Sequence, residues 1–503
     1  MKKINISRIL IFILQSIIFA LVVFGISVLI TVVNESYISV LIFVLYILNC
    51  AFALIIIKQN RQIEAKMSWI YLILFIPVIG HFLFLAFGFM TRNKIELKLE
   101  NDPKYKLRYY ESKGIIENAN RHNEIIHPYE RIREKSSLPG AIDIYSDGYR
   151  FYEVLLDQIK KAKKSIFIIT YIIKKSEIAT EFIELLKEKA LEGVEIKWLI
   201  DDFGAMFSQK HKIRKLKKLG VQIGYIGKIY YPFINSSSFS RNHQKFILID
   251  SSIVFSGGNN ISDEYASLSK KYGHWIDINY RIVGPYVNNY NLHFVKMWKS
   301  ITHKDMELEN YLYYKHGYNL NNFKNDLLFV SDSPSFEESE AEFYWLKMFA
   351  MAKKSIKIAT PYFSITSALT KQIILALKSG VDVEIFIPGL PDKKMVYKIT
   401  LNQLNELRKY GLKIWIYKDH FLHSKMGLVD NEIAWMGTNN MDSRSMFSQY
   451  ETMDIIAGEA TRQINQIFEI YRKNCVEISN LGNLTGEYNV IEKFIFDLTK
   501  PLI

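Results

Sequence analysis

Arg241-Asn242-His243-Gln244-Lys245-Phe246-Ile247-Leu248-Ile249-Asp250, followed by Gly257-Gly258-Asn259-Asn260, decides how this chain is read, because the pattern occurs twice. The second copy runs Leu422-His423-Ser424-Lys425-Met426-Gly427-Leu428-Val429-Asp430, followed by Gly437-Thr438-Asn439-Asn440. Counted from each His, Lys stands at +2, Asp at +7, Gly at +14 and Asn at +17 in both copies. A single His-x-Lys is commonplace in a lysine-rich chain, a lone His at a strand edge is usually a surface or satisfied core residue, and Gly-Gly alone marks a turn. Five positions at one spacing, repeated, carry a signal that none of them has alone.

The repetition extends outward. Ala162-Lys163-Lys164-Ser165-Ile166 recurs as Ala352-Lys353-Lys354-Ser355-Ile356, and Gly193-Val194-Glu195-Ile196 as Gly380-Val381-Asp382-Val383. Gly220-Val221 and Gly411-Leu412 open one further strand each. Each copy orders its elements as amphipathic helix, β-branched strand, helix and a strand opening with Gly-Val, which indicates an α/β fold with helices covering a sheet. The copies are expected at 141–300 and 341–503, joined by a connector at 301–340, and preceded by a membrane anchor at 1–91 and a basic juxtamembrane connector at 92–140. The lysine pairs 163–164 and 353–354 read as solvated helix ends.

The motif suits phosphodiester chemistry. Between each Lys and Asp lies an apolar run that reads as a buried strand, and residues two apart in a strand share a face. Imidazole and ammonium can therefore approach one phosphate together. One neutral imidazole can attack phosphorus and form a phosphohistidine, while the other, protonated, delivers a proton to the leaving alcohol. Lys245, Lys425, Asn260 and Asn440 supply donors for the nonbridging oxygens, where charge stabilisation is usually the largest contribution. Each His needs a carboxylate or a carbonyl on its second nitrogen to fix its tautomer, and Asp277 and Glu451 are the candidates. Asp250 and Asp430 complete the candidate catalytic set, with an orienting role for their loops as the other reading. The scheme requires no metal and no cofactor. No phosphate-binding Gly-Lys-Ser/Thr loop and no Gly-x-Gly-x-x-Gly fingerprint supports nucleotide chemistry.

The first ninety residues carry the excess apolar character of a chain that is 49% hydrophobic and 23% charged. Residues 9–33 and 38–57 are each long enough to span roughly 30 Å of hydrocarbon. No small-residue cleavage site follows the first run, so a retained helical hairpin is expected rather than a removed leader. Lys2, Lys3 and Arg8 precede the pair and Lys58, Arg61 and Lys66 follow it, which places both flanks in the cytoplasm. A third run, 67–90, is broken by Pro77 and Gly80 and is expected to kink or re-enter. The basic stretch from Arg92 to Lys113 then argues for a cytoplasmic catalytic region on a multi-pass cell-membrane protein. The net charge of +13 suits an anionic partner, lipid or nucleic acid. Cys50 and Cys475 form neither a disulfide framework nor a zinc-ligand spacing.

At these motifs the chain resembles the phospholipase D superfamily and, within it, the bacterial cardiolipin synthases, and the resemblance covers nearly the whole chain. Arg241-Asn242-His243-Gln244-Lys245 is similar to that family's Arg-Asn-His-Arg-Lys, with Gln244 in place of Arg. Gly257 to Tyr265 resembles its Gly-Gly-x-Asn-Ile-x-Asp-Glu-Tyr, and Gly437 to Ser445 its second tail. Thr360-Pro361-Tyr362-Phe363 and the N-terminal Trp69, Pro77, Gly80 and Phe87-Gly88 fit too. Ser251 and Gln449 depart from the usual glycine and asparagine without removing a catalytic group. The resemblance implies two pseudo-twofold-related phospholipase D-type α/β sandwich repeats behind a transmembrane helical region, with one active site between them. It implies transfer of a phosphatidyl group from one phosphatidylglycerol to another, giving cardiolipin and glycerol, with His243 as nucleophile and His423 as acid and then base. The rivals are a hydrolase or a transferase for another headgroup, a nuclease of the same superfamily, against which the membrane segments count, and an inactive lipid-binding scaffold. Oligomeric state leaves no mark on the sequence.

Overall fold

The computed structural model describes residues 35–59, 62–88, 92–116, 122–132, 135–229, 240–269, 273–313 and 322–478. The chain divides into two units. The first takes in the N-terminal residues up to Thr91. Its helix α1 (Glu35–Lys58) contains, at Tyr37–Lys58, the one helix among the described residues that is long and apolar enough to cross a membrane. The expected first span, 9–33, lies outside the described residues. Helix α2 (Ile63–Phe75) stops before Pro77, and Val78 takes a positive φ of 69° before a short helix resumes at Ile79. There the chain folds back so closely that a Cβ on Gly80 would lie 2.6 Å from the Leu72 carbonyl oxygen. The third apolar run is thus broken where its Pro and Gly predicted. Phe52, Trp69, His81 and Phe84 interlock edge to face across this turn.

The second unit, Arg92–Ile226 with Arg241–Phe496, holds both repeats. In the first lie β1 (Leu138–Tyr145), β2 (Ser165–Thr170), β3 (Glu195–Asp201), β4 (Gln222–Ile226), β5 (Arg241–Asn242), β6 (Phe246–Ile249), β7 (Ile253–Gly257), β8 (Trp275–Ile276) and β9 (Asn279–Val283). In the second lie β10 (Asn325–Asp332), β11 (Ser355–Ala359), β12 (Phe363–Ser364), β13 (Asp382–Pro388), β14 (Lys413–Tyr417), β15 (Phe421–Leu422), β16 (Met426–Val429), β17 (Ile433–Gly437), β18 (Met441–Asp442), β19 (Gln449–Gly458) and β20 (Cys475–Glu477). One sheet runs through both, in the order β20-β14-β13-β11-β16-β17-β19-β10-β1-β9-β7-β6-β2-β3-β4. Apart from β20 the order is a palindrome about the β1–β10 pair, where Leu138 faces Leu327 in antiparallel register.

Local chemistry explains the matched elements. Asp147 and Ser339 cap the helices Gly148–Lys161 and Glu340–Met351, their side-chain oxygens accepting from the first-turn N–H groups of Tyr149 and Glu342. The parallel strands β2 and β3 are buried on both faces; β2 is nearly all apolar, while β3 buries Lys197 and Asp201 among its apolar residues. Helices cover those faces and build three cores. Across the repeats, buried Asp454 of β19 accepts hydrogen bonds from Tyr280, Tyr286 and Tyr290 of the first repeat.

Two expected boundaries need correction. The stretch 301–340 is not only a connector, because its residues 325–332 form β10, the counterpart of β1. The basic stretch 92–140 is likewise part of the folded body: helix α3 (Lys94–Glu100) buries Leu99, while Tyr110 and Tyr129 enter two of the cores. Its charge had obscured an apolar stripe.

Candidate active site

Two short parallel pairings place the histidines. β5 runs beside the start of β19, with Gln449 opposite Arg241 and Tyr450 opposite Asn242. β15 runs beside β8, with Trp275 opposite Phe421 and Ile276 opposite Leu422. Each pairing ends in a hydrogen bond from a histidine backbone: His243 N–H donates to the Tyr450 carbonyl at 2.9 Å, and His423 N–H to the Ile276 carbonyl at 2.7 Å. The residue following each acceptor is a carboxylate. His243 Nδ1 meets Glu451 Oε1 at 2.8 Å, and His423 Nδ1 meets Asp277 Oδ2 at 2.6 Å. The partners are exchanged: each imidazole is held by the carboxylate of the opposite repeat. With Nδ1–H donating to the carboxylate, each ring presents Nε2 for chemistry.

The carboxylates differ in length, and the backbone compensates. A Cβ on Gly258 would sit 2.1 Å from Asp277 Oδ1, so only glycine admits the shorter side chain at this depth. The matching position beside the longer Glu451 is Thr438, whose hydroxyl donates to the Thr452 carbonyl oxygen at 3.2 Å and accepts from the Thr452 N–H at 2.9 Å.

Lys245 Nζ donates to the His243 carbonyl oxygen at 2.6 Å, and Lys425 Nζ to that of His423. Both lysines are buried, and among the described residues neither has a carboxylate at ion-pair distance. Burial pulls their ammonium groups down, to about 7 for Lys245 and about 8 for Lys425, against the opposing pull of Glu451 and Asp277. Burial likewise lowers His423 to about 4, with help from Lys425 and against Asp277. It drives His243 well below the usual imidazole range, reinforced by the charges of Lys245, Lys425 and His423. Glu451 is raised well above the carboxylate range by burial. Burial acts in that direction on Asp277 too, but the charges of His423 and Lys425 and its hydrogen bonds outweigh it and hold the group low. Four buried basic groups thus converge on two carboxylates already committed to the imidazoles. Such a centre needs an anion to offset the cost of its buried charge.

His243, Lys245, His423, Lys425, Asp277 and Glu451 are therefore gathered at the two crossings. Asp250 and Asp430 are not. Each sits at φ near +50° in the turn after its four-residue strand, and each carboxylate accepts from three consecutive backbone N–H groups, those of residues 163–165 and 353–355. They pin the hairpin to the preceding helix–strand junction, and their reading as catalytic is corrected. The expectation that His and Lys lie within a strand is adjusted as well: both occupy the extended link between β5 and β6, or β15 and β16. Asn260 is committed to the fold, its Oδ1 accepting from Ile172 N–H at 3.1 Å and its Nδ2 donating to Tyr265 Oη at 2.8 Å. Asn440 differs, because its Oδ1 is buried without a partner.

Sequence reasoning missed the aromatic walls. Tyr171 packs on His243 with ring centroids 5.3 Å apart, and Trp275 and Phe421 on His423 at 4.9 and 5.4 Å. They lie in ordinary apolar runs, where only their position beside the motifs marks them.

Comparison with known proteins agrees with this geometry. The family described as "Cardiolipin synthase, PLD-like domain" matches residues 155–298 and 345–471, and "Phospholipase_D-nuclease N-terminal" matches 47–88. A cardiolipin synthase of Oceanobacillus iheyensis is 32% identical over 431 residues, covering 82% of this chain and 88% of that one. Cardiolipin synthase 2 of Staphylococcus epidermidis is 30% identical over 491 residues, covering 93% and 99%. Among solved structures, phosphatidylserine synthase of Haemophilus influenzae superposes with a TM-score of 0.58 at 16% identity, covering 76% of this chain and 100% of that chain, which supports the fold alone.

Proposed function

This chain belongs to the cardiolipin synthase family with paired phospholipase D-like domains, and on that premise we propose that it transfers a phosphatidyl group from one phosphatidylglycerol to another, giving cardiolipin and glycerol. A phosphatidyltransferase activity, a phospholipid substrate and membrane association follow from the family; the particular lipid and the roles of the residues are our reading. The observation that carries it is the pair of exchanged His–carboxylate contacts flanked by two buried lysines that, among the described residues, have no carboxylate at ion-pair distance.

In the first step His243 Nε2 bonds to phosphorus, the bond to the headgroup glycerol oxygen breaks, and protonated His423 gives that oxygen its proton. In the second, neutral His423 takes the proton of a hydroxyl on the second phosphatidylglycerol. That oxygen bonds to phosphorus, the N–P bond breaks, and His243 is restored. One phosphodiester replaces another, so no external energy source is needed. The assignment of roles is supported by electrostatics: His243 is the less readily protonated ring, as a nucleophile must be, while His423 keeps an ionised Asp277 to stabilise its imidazolium. An incoming phosphate charge favours that imidazolium further. The buried, aromatic-lined site hinders water from intercepting the phosphohistidine.

The chain is further proposed to be multi-pass, with its catalytic unit cytoplasmic. Helix α2, at thirteen residues, reaches only roughly 20 Å, short of a bilayer, which supports re-entry of the third apolar run. A C-terminal reporter that reads as exported would overturn that topology. For the activity, the purified full-length chain should convert labelled phosphatidylglycerol in vesicles to cardiolipin and glycerol in equal amounts. Phosphatidic acid as the main product would mark a hydrolase instead.

A further inference from the structure

The two repeats match at the histidines but diverge on the walls beside them. Twenty-one residues after each His the first repeat has Glu264 and the second Arg444. Glu264 is neutralised by Lys174 at 2.6 Å, and the neighbouring Asn260 spends its amide on Ile172 and Tyr265. In the second repeat the corresponding groups are unspent. Among the described residues Arg444 has no carboxylate at ion-pair distance, and neither does Lys393, whose Nζ lies 4.8 Å from the centre of the Tyr362 ring.

These residues form one surface. β12 pairs in parallel with β18, Phe363 opposite Met441 and Ser364 opposite Asp442, which sets Tyr362 beside Asn440. Tyr362 Oη donates to Asp392 Oδ2 at 2.7 Å, and Asp392 directly precedes Lys393. Asp442 caps the short helix that carries Arg444, accepting from Ser445 N–H at 2.7 Å. The Asp442 carboxyl, raised by burial, is drawn back by that N–H and by the charges of Arg444 and Lys393, so both cations stand near it. The helix that carries Arg444 runs directly into β19, whose Gln449 and Tyr450 lie opposite Arg241 and Asn242, which puts this wall beside the reacting centre. Two buried acceptor oxygens on it, Asp392 Oδ1 and Asn440 Oδ1, have no donor. A buried acceptor without a protein donor calls for a partner, an ordered water or a ligand group.

Unspent cations ask for an anion, and unspent acceptors ask for hydroxyl groups. Resting on the reading above, we propose that this wall is the subsite of the acceptor lipid: Arg444 and Lys393 hold the acceptor's own phosphodiester, and Asp392 and Asn440 share the hydrogen of its secondary glycerol hydroxyl, the primary hydroxyl giving its proton to His423. In the first repeat the matched Asn260 and Glu264 are already paired, and an acidic residue stands where the second repeat has Arg444. The attacking hydroxyl of this acceptor is three carbons from its phosphate, so a grip on that phosphate orients the nucleophile.

The test is a partition experiment on the full-length enzyme in detergent micelles. Labelled phosphatidylglycerol is supplied together with 1,3-propanediol, a neutral competing acceptor, and the ratio of cardiolipin to phosphatidylpropanediol is measured. Both products leave one covalent intermediate, so the ratio reads acceptor capture alone, and only folded molecules contribute to it. Arg444→Ala and Lys393→Ala should each lower the ratio about tenfold, the size of one lost charged hydrogen bond. Arg444→Lys should recover part of that loss. Lys393 is exposed, so its variant reports even where Arg444→Ala folds poorly. A ratio unchanged in both alanine variants overturns the subsite. A wild-type enzyme that makes phosphatidylpropanediol but no cardiolipin would sink the reading of the activity itself.

Discussion

Anion binding should be coupled to proton uptake, because the lysines meant to hold the phosphate are partly discharged in the empty site. Lys245 is drawn down to about 7 and Lys425 to about 8. A phosphodiester seated between them favours both charged forms, so each lysine not already protonated must take up a proton on binding. Affinity then falls as pH rises through these values. At pH 9 Lys245 contributes a factor of about one hundred and Lys425 about ten, so binding should be about a thousandfold weaker than at pH 6, or about 4 kcal/mol. Dimethyl phosphate is a suitable probe, since it keeps one charge throughout the range and is not expected to turn over. Calorimetric titration of the full-length protein in buffers of different ionisation enthalpy measures affinity and proton uptake together. Uptake by the two lysines should rise from near zero at pH 6 towards about two protons per anion at pH 9, beside the proton that His423 takes up as its imidazolium forms. Lys245→Met should abolish the larger part of the dependence. Affinity constant within threefold over that range, with no buffer-dependent heat, would refute the argument that these ammonium groups are discharged by burial and recharged by substrate.

Three other outcomes are expected. His243→Ala and His423→Ala should each abolish turnover, and the double variant should be no slower than either, because the rings act as a unit; full activity in either single variant removes that imidazole from the mechanism. Gly258→Ala forces a methyl group against Asp277, so kcat should fall about a hundredfold or more through misorientation of His423, while circular dichroism stays native; normal turnover would show that the approach is not required. Asp250→Ala strips the acceptor from three N–H groups, so the protein should lose about 2 kcal/mol of unfolding free energy with kcat within twofold of wild type. A large kcat loss without destabilisation would restore Asp250 to the reaction.

The repeat made the layer order legible because each copy states it independently: the Gly-Val strands and the helices before Ser165 and Ser355 appear where the pattern puts them. The imidazoles, the lysines and both orienting carboxylates were legible from spacing and from the need of each His for a partner. The exchange of partners between repeats was not, since it depends on how β5 and β15 cross the other half. Nor was the use of Asp250 and Asp430. Position +7 follows a buried strand of four residues, and a carboxylate there is as well suited to capping three N–H groups as to chemistry. β10 was hidden for a different reason: it lies between polar stretches and has no motif to announce it, although it supplies half of the junction at the centre of the sheet.

That junction limits how a lipid can enter. With β1 hydrogen-bonded to β10, the two repeats share one uninterrupted backbone ladder, and Asp454 ties three tyrosines across it. A jaw that swings apart at this seam would have to tear those bonds. Exchange of glycerol for a second lipid must therefore proceed without parting the two repeats along that seam.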